Sequence, residues 1–242
     1  MDETGRPGNW DALHASQRFP ADGNRWGIPL IRAATLADTP AWMAPYRTTI
    51  RSRQPLDGAT HFFLHDYRFE TVWRRPRQTW SAVSRCPIAL SPDFSLYRDW
   101  PLTLQLWNCY RNRWCGAYWQ SRGQRVIPTI SWSTKESYVF CFCGVERYSL
   151  VAISTLGVKL DQPAEHSWFM AGFTELLQRI EPPRILCYGP APRAAHRLVE
   201  IYTYPIGWRG LKVARRRGHG RALPRWERGQ AASESERLLD GW

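Results

Sequence analysis

Short, fully apolar runs alternate with longer stretches of mixed polarity along this chain, the pattern of buried strands separated by helices. The first convincing run is His61-Phe62-Phe63-Leu64-His65-Asp66. A weaker helical stretch, residues 69–84, leads to a second strand at 87–90, and Ser91-Pro92-Asp93 ends it, because proline restricts the residue before it. A long helix follows from about Pro101, with Asp99 as its expected N-cap and Gly123 as its stop. Leu104, Trp107, Trp114 and Tyr118 fall near one of its faces, a stripe that Arg111 interrupts, and Arg111 and Arg113 otherwise point to more polar faces. A third strand spans 126–130, and Ser133 with Glu136 fits a capping box for a short helix that Gly144 ends.

The clearest periodicity comes later. A fourth strand, 150–154, precedes a helix over 167–180 in which Phe169, Phe173, Leu176, Leu177 and Ile180 share one face. Pro182-Pro183 stops that helix, a fifth strand occupies 184–188, and a short helix and strand reach Tyr204. Ahead of all this, residues 26–48 alternate proline with apolar residues, and Pro29 confines residues 27–31 to an edge strand or an extended cover. Strands alternating with helices at this spacing predict an α/β fold with a mainly parallel sheet of βα repeats. The count of strands suits an open sheet or an incomplete, compressed barrel rather than a regular eight-stranded one. The expected organisation is a flexible or loosely docked arm over 1–24, one domain over 25–205, and a tail over 206–242.

Composition changes this picture in two places. With 43% hydrophobic residues in 242, the chain can bury a sizeable core, and it contains no run long enough to cross a membrane and no apolar leader. A cytoplasmic location is the expectation. The net charge of +12 invites a nucleic-acid reading, but eight basic residues against one acid lie between Arg209 and Arg228, so much of the surplus belongs to the tail. The six cysteines form no disulfide framework, and Cys141-Phe-Cys143 lacks a second pair at zinc spacing, so no metal or cofactor is expected.

Candidate chemistry follows from the strand order, since ligands of parallel α/β folds sit outside the carboxyl ends of the strands. That rim collects His65 and Asp66, Ser91 and Asp93, Ser131 and Trp132, then Ser154 and Thr155. Asp93 is the leading acid–base candidate, with Asp66 second, although neighbouring strand residues His65 and Asp66 point to opposite faces. On the long helix Asn108, Arg111 and Arg113 offer hydrogen bonds to a phosphate or carboxylate, yet two positions apart the arginines cannot grip one anion together. Nucleotide-binding, serine-hydrolase and zinc-protease motifs are absent.

The blocks SPDFSLYRDWP, WNCYRNRWCGAYWQSRGQRVIPTISWS, VAISTLGV and RIEPPRILCYGP resemble a family of uncharacterised proteins from bacteria, phages and integrated mobile elements. The resemblance covers about residues 25–205 and leaves both tails outside it. It implies a phage or mobile-element setting and brings no catalytic residues with it. Three readings follow: a protein that binds or acts on DNA or RNA, a metal-independent enzyme using the rim carboxylates on a small molecule, and a non-enzymatic module that binds another protein.

Overall fold

The computed structural model of the chain describes residues 11–207, and three of its strands are buried along their whole length. Such strands need cover on both faces, which parallel pairing with helical crossovers supplies. Among the described residues there are seven: β1 (Met43–Pro45), β2 (Ala59–His61), β3 (Ile88–Leu90), β4 (Arg125–Ile127), β5 (Val151–Ser154), β6 (Ile185–Tyr188) and β7 (Ile201–Tyr204). All pairings are parallel, in two sheets ordered β1-β2-β3-β4 and β5-β6-β7. A single parallel bridge, Thr129 with Ala152, joins them: the Ile130 N–H donates to the Ala152 carbonyl at 2.8 Å, and the Ala152 N–H to the Pro128 carbonyl at 2.8 Å.

The two-residue strand period divides the core. Met43, Ala59, Ile88, Leu90, Ile127, Ala152, Leu186, Tyr188 and Tyr204 form one interior cluster to which both sheets contribute. The intervening residues face outward into helical layers, Ala89 and Val126 on one side, Val151, Ile153, Ile185 and Cys187 on the other. Two sheets lining one interior in strand order make an incomplete barrel. Among the described residues its ends meet through side chains, the Tyr204 hydroxyl donating to the Pro40 carbonyl at 2.6 Å and Arg184 to the Thr39 hydroxyl at 2.9 Å. The expected α/β class and its open, parallel character therefore hold.

The helices are α1 (Tyr46–Arg51), α2 (Thr71–Arg74), α3 (Pro76–Val83), α4 (Leu102–Ser121), α5 (Tyr138–Cys141), α6 (Pro163–Ile180) and α7 (Arg193–His196). Several boundaries differ from the sequence reading for local reasons. Pro76 forces Arg75 out of the helical region (φ −140°), so the helix expected over 69–84 is two. β1 lies inside the proline-rich stretch, tolerated because it is an edge strand and Pro45 ends it. β2 stops at His61 because the Phe63 N–H turns back to the His61 ring and the Leu64 N–H to the Phe62 carbonyl. The capping box does not form: the Ser133 hydroxyl donates to the Gln105 side chain, and Thr134 takes the cap position of a 3-10 turn.

The largest correction concerns α4. It starts near Pro101 as expected, with Pro101 and not Asp99 in the N-cap position, and Gly123 (φ +82°) provides the left-handed stop after it. It lies between two apolar clusters, Cys109 in one and Trp114, Cys115, Tyr118 and Trp119 in the other. Its central turns therefore have no solvent face, and Arg111 and Arg113 are only 8% and 1% exposed. The preceding segment also packs on α4, with the His14 ring stacked on Trp114 at 4.6 Å and the Trp114 indole N–H donating to the Gln17 carbonyl at 3.0 Å. The basic run from Arg209 to Arg228 lies outside the described residues.

Candidate functional site

The carboxyl ends of the strands open into a cavity of about 1250 Å³, to which each strand contributes its last residue or the segment following it. Arg47 follows β1; Phe63, Leu64 and His65 follow β2; Asp93 and Ser95 follow β3; Ile130 to Ser133 follow β4; Leu156 to Val158 follow β5. His61, Ser154, Tyr188 and Tyr204 are themselves the last residues of β2, β5, β6 and β7. The volume accommodates a sizeable small molecule. Its walls are aromatic, with Trp42, Trp132, Trp168, Phe169 and Tyr97 among them.

Asp93 is the central ionisable group. It keeps part of its surface open to the cavity, while the Ser131 hydroxyl donates to its Oδ1 at 3.0 Å. Burial pushes its pKa up to about 7, opposed by the Ser131 hydrogen bond, with a further push from the Asp66 charge and a pull from Arg113. A carboxyl so placed exchanges protons readily at neutral pH. His61 shifts the other way. Burial lowers its pKa to about 3, so its imidazole is neutral, and it is packed against Tyr188 and Phe63 with ring centroids at 4.6 and 5.5 Å.

The structure brings together only part of the sequence-derived set. His65, Asp93, Ser131, Trp132 and Ser154 line the cavity. Asp66 stands behind its wall, accepting from the Ser95 N–H at 3.1 Å and the Ser95 hydroxyl at 2.8 Å, with its pKa raised by burial. Ser91 accepts from the Thr129 N–H at 2.8 Å, and Thr155 donates to the Pro190 carbonyl at 3.0 Å, so both fix loops. Asn108 ties the loop after β3 to α4 through the Ser95 carbonyl at 2.7 Å.

The two arginines hold protein, not ligand. The Arg111 Nη1 donates to both carboxylate oxygens of Glu70 at 2.8 and 2.9 Å, its Nη2 donates to the Asn108 side-chain carbonyl, and the guanidinium lies 3.9 Å over the Phe94 ring. Arg113 donates to the carbonyls of Thr129, Cys141 and Cys143 at 2.8, 2.9 and 3.0 Å. Among the described residues no group of three His, Cys, Asp or Glu side chains is placed to hold a metal ion.

Residues 20–205 match the family model described as domain of unknown function DUF4417. The chain belongs to this family. Among curated proteins it is 41% identical over 206 residues to the Gene 1 protein of Mycobacterium phage D29, covering 84% of this chain and 75% of that one. To the Gene 1 protein of Mycobacterium phage L5 it is 39% identical over 206 residues, 84% of this chain and 88% of that one. The phage-type resemblance read from the sequence is thereby shown. No solved structure matches this DUF4417 chain. Among the described residues no helix is long and apolar enough to cross a membrane.

Sequence reasoning missed His61, Tyr188 and Tyr204. The signal was present: applied to the true end of β2, the rule that names Asp93 would also have named His61. The apolar continuation Phe62-Phe63-Leu64 disguised that end as mid-strand.

Proposed function

We propose that this DUF4417 protein is an enzyme that transfers protons to and from a small molecule carrying a planar ring, with Asp93 as general acid and base. The observation that carries the reading is a carboxyl with a pKa raised to about 7, opening onto a cavity outside the carboxyl ends of parallel strands. The aromatic walls suit a ring, which stacks on such faces. Ser131 orients the carboxyl and leaves its second oxygen for the substrate. The nucleic-acid reading draws no support from Arg111 and Arg113, whose guanidinium groups are engaged within the core.

Solvent-proton exchange tests this without knowledge of the product. Incubated in D2O with a panel of aromatic and heteroaromatic metabolites, the protein should place deuterium in at least one of them. Asp93→Asn should slow that by about a hundredfold or more, the usual contribution of a general base. Equal rates in both proteins, or exchange in neither, would remove Asp93 from this role.

A further inference from the structure

His61 is the last residue of β2, and Asp93 lies just beyond β3, the parallel neighbour of β2. Two chemically distinct side chains thus reach the cavity from adjacent strand ends. The His61 ring is 2% exposed and packed against Phe63 and Tyr188, which restricts its plane. Its Nδ1 lies 3.2 Å from the Phe63 backbone nitrogen, and a backbone N–H only donates, so Nδ1 is the acceptor. The neutral ring therefore carries its proton on Nε2. Among the described residues no group accepts from that Nε2, and it is not one of the enclosed polar atoms left unpaired, so it opens onto the cavity that His61 lines. A fixed, unclaimed N–H in the lining of a cavity is a place for a ligand acceptor.

We infer that His61 Nε2–H receives the carbonyl oxygen of the substrate, which defines the substrate class as ring-bearing carbonyl compounds deprotonated at the carbon beside the C=O. The inference rests on the assignment of the cavity as a proton-transfer site. The Asp93 carboxylate removes the proton from that carbon, the C–H electron pair becomes a C=C bond, and the C=O π pair moves onto oxygen. His61 stabilises the oxygen by hydrogen bonding and keeps its own proton, since a buried neutral imidazole is a poor acid and a good donor. Asp93 then returns its proton to carbon, so the net change is an isomerisation or exchange that needs no oxidant, reductant or co-reactant. Trp42 and Trp132 offer faces for the ring.

Two probes that differ at the carbonyl test this on the full chain: 2-acetylnaphthalene and 2-ethylnaphthalene, titrated by quenching of tryptophan fluorescence. The wild type should bind the ketone about three- to tenfold more tightly, the value of one neutral hydrogen bond. His61→Phe, which keeps a flat ring, should bind both equally. With 15N-histidine labelling of the wild type, the His61 Nε2–H proton should shift downfield with the ketone and not with the hydrocarbon, which decides the matter even if the variant does not fold. Equal binding of both probes by the wild type without that shift overturns the role of His61 and leaves that of Asp93 to the exchange experiment. Binding of neither probe overturns the planar-ligand cavity itself.

Discussion

Asp93 is costly to the fold when ionised, and the cost is measurable without a substrate. Its folded pKa of about 7 exceeds the ordinary 3.8, so between those values the native state holds a proton that the unfolded chain has released. Stability contributed by this group is therefore present below about pH 4 and is lost as pH rises toward 7. A shift of about three units at about 1.36 kcal/mol each sets a ceiling near 4 kcal/mol. Because the carboxyl is partly open to the cavity, solvent screening trims the expected value to about 2–3 kcal/mol. Asp93→Asn keeps the shape and an acceptor for Ser131 and removes the titration. His61 acts in the opposite sense, its lowered pKa withdrawing stability as pH falls below about 6.5, so a single pH profile would mix the two. The difference between the variant and the wild type cancels His61. Urea unfolding followed by tryptophan fluorescence should give similar stabilities at pH 4 and a variant more stable by about 2–3 kcal/mol at pH 8. Profiles that run parallel from pH 4 to 8 would refute the raised pKa and, with it, the chief support for acid–base chemistry.

Three further outcomes follow from the packing. Arg113→Met should destabilise by about 3–5 kcal/mol in urea, because the Cys141 and Cys143 carbonyls lose the guanidinium donor and the Thr129 carbonyl keeps only Asn112. Gly172→Ala should destabilise by about 1–3 kcal/mol, since a Cβ there would overlap the Trp132 indole, and should weaken 2-acetylnaphthalene binding as Trp132 is displaced from the cavity wall. Thiol titration with an aromatic disulfide should label at most one cysteine in the native protein, the half-buried Cys143, and all six after unfolding, because burial raises the thiol pKa of each.

What was legible in the sequence was whatever depended on period and punctuation. Phe169, Phe173, Leu176 and Ile180 lie buried on α6 as their spacing requires, with Leu177 at the margin, and Gly123 stops the chain after α4 in a left-handed turn. Asp93 was legible because a strand, a proline and a parallel fold fix the rim. Illegible was whatever depended on tertiary cover. β1 is three residues long and contains proline, so no local signal distinguishes it from a loop until β2 pairs with it. The arginines of α4 read as a polar face because nothing local shows that helical layers close over both sides of that helix. Asp66 read as a rim residue, and only the fold shows that its carboxylate is taken by Ser95.

The arginine expected to meet a ligand instead connects to the site through the backbone. Arg113 and Asn112 both donate to the Thr129 carbonyl, at 2.8 and 3.2 Å, and Thr129 is the residue whose bridge to Ala152 joins the two sheets. Two residues further on, Ser131 donates to Asp93. The same short segment thus couples the halves of the barrel and orients the carboxyl. A guanidinium suits this task better than an aliphatic side chain, because its fixed fork can satisfy several divergent carbonyls that would otherwise lie buried without donors. The positive charge also lies close enough to Asp93 to oppose its desolvation, so Arg113 keeps the carboxyl from rising further. Arg113 of α4 thus anchors the segment that carries Ser131 and Trp132 to the cavity wall.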